Sequence, residues 1–175
     1  AATAADRDRR DAWARAHPEW SGAPVARLDP ARWAGRAVVV LSPHPDDELI
    51  GCGGTLLRAI AAGARVTCVQ ATDGAAGAGL VHEPETVKVR WRLDEARAVA
   101  SAMGFDELVT WGEDNRRFAP GEARARELAT LLRERRAAAV FVPFVTDIHV
   151  DHQALARVLD RSLARHAGGW GDLEV

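Results

Sequence analysis

Hydrophobic and polar positions follow two alternating periods along most of the chain. The stretch Ala37–Ser42 is a continuous, apolar, β-branched run, the pattern of a strand covered on both faces of a parallel sheet. Similar short runs recur at residues 65–71, 107–111 and 137–142. Between and after them lie segments with helical spacing, 49–62, 86–103, 121–136 and 153–166. In the second of these, Val89, Leu93, Ala96, Val99 and Ala100 make one apolar stripe, and Gly63 and Gly104 stand where the first two helices should stop. Strands alternating with helices of these lengths predict an α/β fold. It is Rossmann-like and doubly wound, with a mainly parallel sheet, helices on both faces and right-handed crossovers. Ahead of the first strand, residues 3–16 read as a charged surface helix. Residues 29–35 read as a short helix with Asp29 as cap, Pro30 at its first position and Gly35 as terminator. Gly51, Gly53 and Gly54 inside the first long helix predict close approach of a neighbouring backbone, because interior glycine otherwise costs helix stability. Residues 172–175 have the pattern of a further strand beginning.

Polar residues interrupt this pattern at two equivalent places. The first strand runs into Pro43-His44-Pro45-Asp46-Asp47-Glu48, and the fourth into a loop holding Asp147, His149, Asp151 and His152. The two prolines deny the first loop regular hydrogen bonding and so present His44. One aspartate would suffice to cap the following helix, and a cap needs no histidine two residues before it. Under the common strand order 3-2-1-4 the first and fourth strands are neighbours, and both clusters face one crevice at the topological switch point. His44, Asp47 and His152 could then supply nitrogen, oxygen and nitrogen to one ion, the usual make-up of a catalytic zinc site with a position left for water. Asp46 suits the base that takes a proton from that water. His149 suits a donor to an oxyanion or to a leaving amine, with Asp151 orienting it. Asp147 could hold another ring or brace the loop, and Glu48 suits the positive end of the helix dipole.

Composition narrows the reading further. The 175 residues, 47% hydrophobic and 27% charged, suit a single globular domain, 1–175, with residues 1–36 as an N-terminal helical extension. A net charge of −2 gives no electrostatic ground for a nucleic-acid partner. Cys52 and Cys68, both in apolar contexts, read as buried free thiols, not as a disulfide or thiolate metal site. No apolar run reaches membrane-spanning length. The expected location is cytoplasmic, although a chain starting at Ala1 leaves room for a leader upstream.

The motifs Pro43-His44-Pro45-Asp46-Asp47-Glu48 and His149-Val150-Asp151-His152 together resemble the paired signature of the PIG-L / LmbE-like deacetylases. Thr72-Asp73-Gly74 and Arg92-Leu93-Asp94-Glu95 also match, so the resemblance runs from Ala37 to His166. It implies a hydrolase with one zinc ion per chain that removes an acyl group, acetyl above all, from a small N-acylated glucosamine conjugate. It further implies His44, Asp47 and His152 as metal ligands, Asp46 as general base and His149 as the electrophilic or acid partner. Arg92 and Asp73 enter as candidate substrate contacts, each set against a plainer reading as a surface arginine and a turn aspartate. Trp111 is the one tryptophan placed to stack on a sugar, against core packing. Val150 stands where the family usually has proline, and the loop Trp111–Arg117 lacks the usual Asp-Gly pair. Family members generally continue further, which leaves room for pocket residues beyond Val175. Two other functions fit the same residues. A metal phosphoesterase would use two ions, and a non-catalytic sugar-binding domain would keep the fold alone. The acyl group, the aglycone and the oligomeric state are not encoded in any readable pattern.

Overall fold

The computed structural model describes residues 28–77, 82–115, 117–165 and 169–175. The expected helix at residues 3–16 lies outside them. Four parallel strands, β1 (Ala37–Ser42), β2 (Arg65–Thr72), β3 (Glu107–Glu113) and β4 (Ala137–Phe141), form one sheet in the order β3-β2-β1-β4. Four helices join and follow them: α1 (Asp47–Ala61), α2 (Glu85–Met103), α3 (Glu122–Arg135) and α4 (Val150–Leu163). The α/β architecture is the one the pattern predicts, and the strand order is the common one under which both clusters share a crevice.

Every residue of β1 is buried, and its side chains divide by the period of two. Val39 and Leu41 join Leu128 and Leu132 of α3 and Leu155, Val158 and Leu159 of α4 in one core. Val38 and Val40 pack on the other face with Leu56 and Ala59 of α1, Trp33 and Val66. Each fully buried leucine or valine contributes about 1.5–3 kcal/mol over its exposed state, so a strand lined on both faces is held firmly in depth. Trp111 belongs to the first of these cores and carries the Arg124 guanidinium 5.2 Å above its ring; it is a packing residue, not a sugar platform.

Several details depart from the sequence expectation. The segment after Asp29 is a 3-10 turn, Pro30–Trp33, capped by the Asp29 side chain. The glycines of α1 meet no neighbouring backbone. A methyl at Gly51 or Gly54 has open space, and at Gly53 it meets only Leu49 and Glu48 of the same helix. Helix α4 starts at Val150, not at residue 153, because the His149 ring caps it by accepting from the Asp151 N–H. The C-terminal segment forms a single parallel bridge, Glu174 beside Ala139 of β4, which extends the sheet past its edge. Cys52 and Cys68 are free thiols, and burial followed by the Glu48 charge raises both, Cys52 to about 11.

Candidate active site

Because β1 lies between β2 and β4, the chain leaves its carboxyl end toward one side and returns from β4 on the other. The loops after β1 and β4 therefore open into one crevice, the position where open α/β sheets bind ligands. A cleft of about 490 Å3 lies there, its lining including His44, Asp46, Asp47, Arg92, Asn115 and His152.

The loop after β1 is locked from beneath. Thr72 donates to the Pro43 carbonyl through both its N–H and its hydroxyl, at 3.0 and 2.8 Å. The buried Glu48 carboxylate accepts from Ser42 Oγ at 2.7 Å and from the Asp46 N–H at 3.2 Å. Glu48 is thus a strut inside the loop as well as a charge at the helix start. Between these fixed points Asp46 takes φ 126°, a conformation that side chains rarely adopt and that costs about 1–3 kcal/mol. Its side chain makes no helix-capping bond, which rules out the plain capping role for this aspartate. It is half exposed in the cleft and meets Arg92 Nη2 at 3.1 Å.

Around Asp47 the imidazoles converge. Its Oδ2 lies 3.0 Å from His44 Nδ1 and 3.2 Å from His152 Nε2, and also accepts from the His44 N–H at 2.9 Å. The far nitrogen of each ring meets a second carboxylate. Asp151 Oδ2 lies 3.0 Å from His44 Nε2, and Asp147 Oδ2 lies 3.1 Å from His152 Nδ1. Asp147 also accepts from the His149 N–H at 2.9 Å, so it braces the loop while standing beside the His152 ring. Burial disfavours the charged form of Asp47, yet the bonds from His152 and His44 outweigh it and hold the carboxyl well below the usual carboxylate range. His44 and His152 are likewise raised above their ordinary value despite burial, chiefly by their bonds to Asp47.

His149 differs from the other two rings. Its Nδ1 accepts from the Asp151 N–H at 3.2 Å, so the neutral ring carries its proton on Nε2. Burial and then the neighbouring His44 charge push its pKa below the ordinary histidine value. The Asp151 carboxylate, expected to orient His149, lies 3.9 Å from His149 Nδ1. It is the peptide of Asp151 that holds this ring, and the carboxylate serves His44.

The nitrogens of His44, His149 and His152 come within 4.8 Å of one another, a group that could hold a metal ion. In the set His44, Asp47 and His152 both rings meet one carboxylate oxygen. Zinc with bonds of about 2.0–2.1 Å in a tetrahedron needs donors separated by about 3.3 Å, and the two contacts of Asp47 Oδ2 are 3.0 and 3.2 Å. His44 also carries the outer carboxylate that metal-ligating imidazoles usually have, Asp151, and His152 has Asp147 Oδ2 3.1 Å from its Nδ1. The donor chemistry therefore fits zinc, and the His149 ring lines the same cleft.

Arg92 lines the cleft but is engaged: its guanidinium donates to the Pro45 carbonyl and Asp46, and to Glu95 Oε2 at 2.7 Å. Asp73 does not line it. Its Oδ1 accepts from the Ala75 N–H at 3.0 Å and the Asn115 N–H at 3.4 Å, a turn within the β2 loop tied to the β3 loop. Asn115, buried in the site, has no counterpart in the sequence reading. A lone asparagine among charged residues after a strand carries no signal beyond that of a loop. Ile148, 64% exposed, adds an apolar lip to the cleft.

The chain is 34% identical over 99 residues to a 1D-myo-inositol 2-acetamido-2-deoxy-alpha-D-glucopyranoside deacetylase of Geodermatophilus obscurus, covering 53% of this chain and 31% of that protein. The chain thus spans about a third of the length of that curated relative. The N,N'-diacetylchitobiose deacetylase of Pyrococcus horikoshii shares the fold with a TM-score of 0.71 at 23% identity, over 94% of this chain and 60% of that one. The 4-carboxy-2-hydroxymuconate hydratase GalB of Pseudomonas putida shares it with a TM-score of 0.69 at 18% identity, over 74% of this chain and 56% of the other. The family model described as PIG-L, GlcNAc-PI de-N-acetylase, matches residues 39–163. That span takes in the sheet and both clusters, and the chain belongs to the PIG-L family.

Proposed function

We propose that this protein is a zinc-dependent hydrolase that removes an N-acyl group, acetyl above all, from a small glucosamine-containing conjugate. The observation that carries this is the convergence of His44 Nδ1 and His152 Nε2 on one oxygen of Asp47, at 3.0 and 3.2 Å, in the cleft that also holds Asp46 and His149. His44, Asp47 and His152 would hold one zinc ion. When bound, that ion supplies Lewis-acid polarisation and acidifies water at the reacting centre.

The remaining steps belong to the chain. Asp46, with its carboxylate in the cleft, takes the proton of the attacking water as oxygen adds to the amide carbon. His149 donates from Nε2 to the oxygen that gains charge, a pre-set donor of the kind that contributes about 2.7–4 kcal/mol in other hydrolases. The C–N bond then breaks, and the proton held by Asp46 passes to the amine. Arg92 and Glu48 keep the Asp46 backbone in its strained form. The names of the Geodermatophilus and Pyrococcus relatives, both deacetylases of acetylated amino sugars, support the substrate class.

Asp46→Ala should abolish amine release from N-acetylglucosamine conjugates while zinc stays near one per chain; full activity in that variant refutes the mechanism. The similarity to GalB favours a second reading, hydration of an unsaturated acid on the same fold. Turnover of such an acid with no amine release from any acetylated amino sugar would favour it. Two zinc ions per chain would instead favour phosphoester hydrolysis.

A further inference from the structure

We infer that Asn115 is a positioning residue for the metal site, acting through Asp151 on His44. The inference rests on the metal reading above and adds to it a residue from the loop after β3. Asp151 is fully buried at the start of α4, and its Oδ2 accepts from both His44 Nε2 at 3.0 Å and Asn115 Nδ2 at 2.9 Å. One oxygen is therefore fixed by two donors from two different loops. Asn115 is itself fixed, its Oδ1 accepting from the Ala76 N–H at 3.2 Å and its backbone N–H donating to Asp73 Oδ1 at 3.4 Å. Asn115, in the loop after β3, thus joins the loop after β2 to the first turn of α4, and through Asp151 it reaches His44 in the loop after β1.

The chemistry follows from the direction of each bond. An asparagine amide can donate only from nitrogen, so Asn115 gives Asp151 a neutral donor and adds no charge. The same carboxylate oxygen meets His44 Nε2, and that contact directs His44 Nδ1 toward Asp47. Aspartate at position 115 would set two carboxylates against each other, and an aliphatic residue would leave the Asp151 oxygen one donor short in a buried site. Asp73, whose backbone and side chain tie the β2 loop to the β3 loop, supports the same assembly from a distance.

Outer partners of ligating histidines typically change metal affinity 10–100-fold. Zinc affinity of the full chain is measured by chelator competition, without substrate, in wild type, Asn115→Ala, Asp151→Ala and the double variant. Asn115→Ala should raise Kd about tenfold, at the lower end of that range. Added to Asp151→Ala it should change Kd by less than about twofold, since a relay removed at one point cannot be removed again. An unchanged Kd in Asn115→Ala, or the same tenfold loss in both backgrounds, overturns the inference. A second measurement needs no variant. In zinc-loaded wild type the His44 Nε2 proton should exchange slowly with water and show a through-space contact to the Asn115 amide protons. A fast-exchanging proton, or His44 protonated on Nδ1, overturns it equally. Wild-type chain that takes up no zinc removes the metal reading and this inference with it. Wild-type uptake with an indifferent Asn115 removes only the latter.

Discussion

Gly74→Ala tests whether the strained loop of Asp46 is set by packing. Gly74 has φ +65°, and a methyl there would lie 2.6 Å from Pro45 Cδ, 3.0 Å from Pro45 Cγ and 3.1 Å from Arg92 Nε. Left-handed backbone costs a non-glycine residue about 1–2 kcal/mol. Carbon atoms in contact prefer about 3.5–4.0 Å, so the Pro45 ring must move by about 1 Å, and overpacking of this kind costs about 1–3 kcal/mol. The sum is about 2–5 kcal/mol. At about 2–4 °C per kcal/mol for a chain of this size, a mid-range loss of about 3 kcal/mol lowers Tm by about 6–12 °C. The ring cannot yield without consequence, because Thr72 pins Pro43 and Arg92 binds the Pro45 carbonyl. Its displacement carries Asp46 along, and misplacement of about 1 Å at a reacting centre costs about a hundredfold in rate. Calorimetry and an amine-release assay on one preparation check both numbers. A variant with wild-type Tm and wild-type kcat would show that Gly74 does not set this loop.

The opposite sign is expected on α1. Gly51→Ala, where a methyl meets nothing, should raise stability by about 0.5–1 kcal/mol in denaturant unfolding; a loss would mean that the glycine serves a purpose outside this fold. Arg92→Ala removes the tether on Pro45 and Asp46 and should lower kcat at least about tenfold with KM nearly unchanged; a rise in KM alone would make Arg92 a direct substrate contact. Zinc binding should release protons. His44 and His152 are raised above 6.5 in the metal-free protein, and a ligating imidazole must be neutral. The raised histidines stabilise the metal-free fold below pH about 6.5, and this is lost as pH rises through their folded values. The gain in Tm on adding zinc should therefore grow between pH 6 and pH 8, and a pH-independent gain would contradict the assignment of these two rings as ligands.

Much of the architecture was readable because it rests on local patterns. The β-branched run of β1, the stripe of α2 and the terminators Gly63 and Gly104 each encode an element through side-chain period or backbone freedom. Four such βα units admit few sheet orders, and the observed order is the common one. The motif around His44 and the cluster before α4 stood out because prolines, histidines and acids at strand ends serve no packing purpose. What stayed hidden depends on contacts distant in sequence. The glycines of α1 suggested a close neighbour that only the packed structure could show to be absent. The Asp151 carboxylate looked like the partner of His149, its neighbour in sequence. The fold gives it to His44, 107 positions earlier, because β1 and β4 are adjacent and α4 begins at Val150. Asn115 was invisible for the same reason: an asparagine in a loop signals a site only when the loop after β2 and the start of α4 close around it. The sequence alone determined the elements and most of the chemical groups. The tertiary structure decided which nitrogen faces which oxygen, since that depends on the direction of side chains that meet across strand ends.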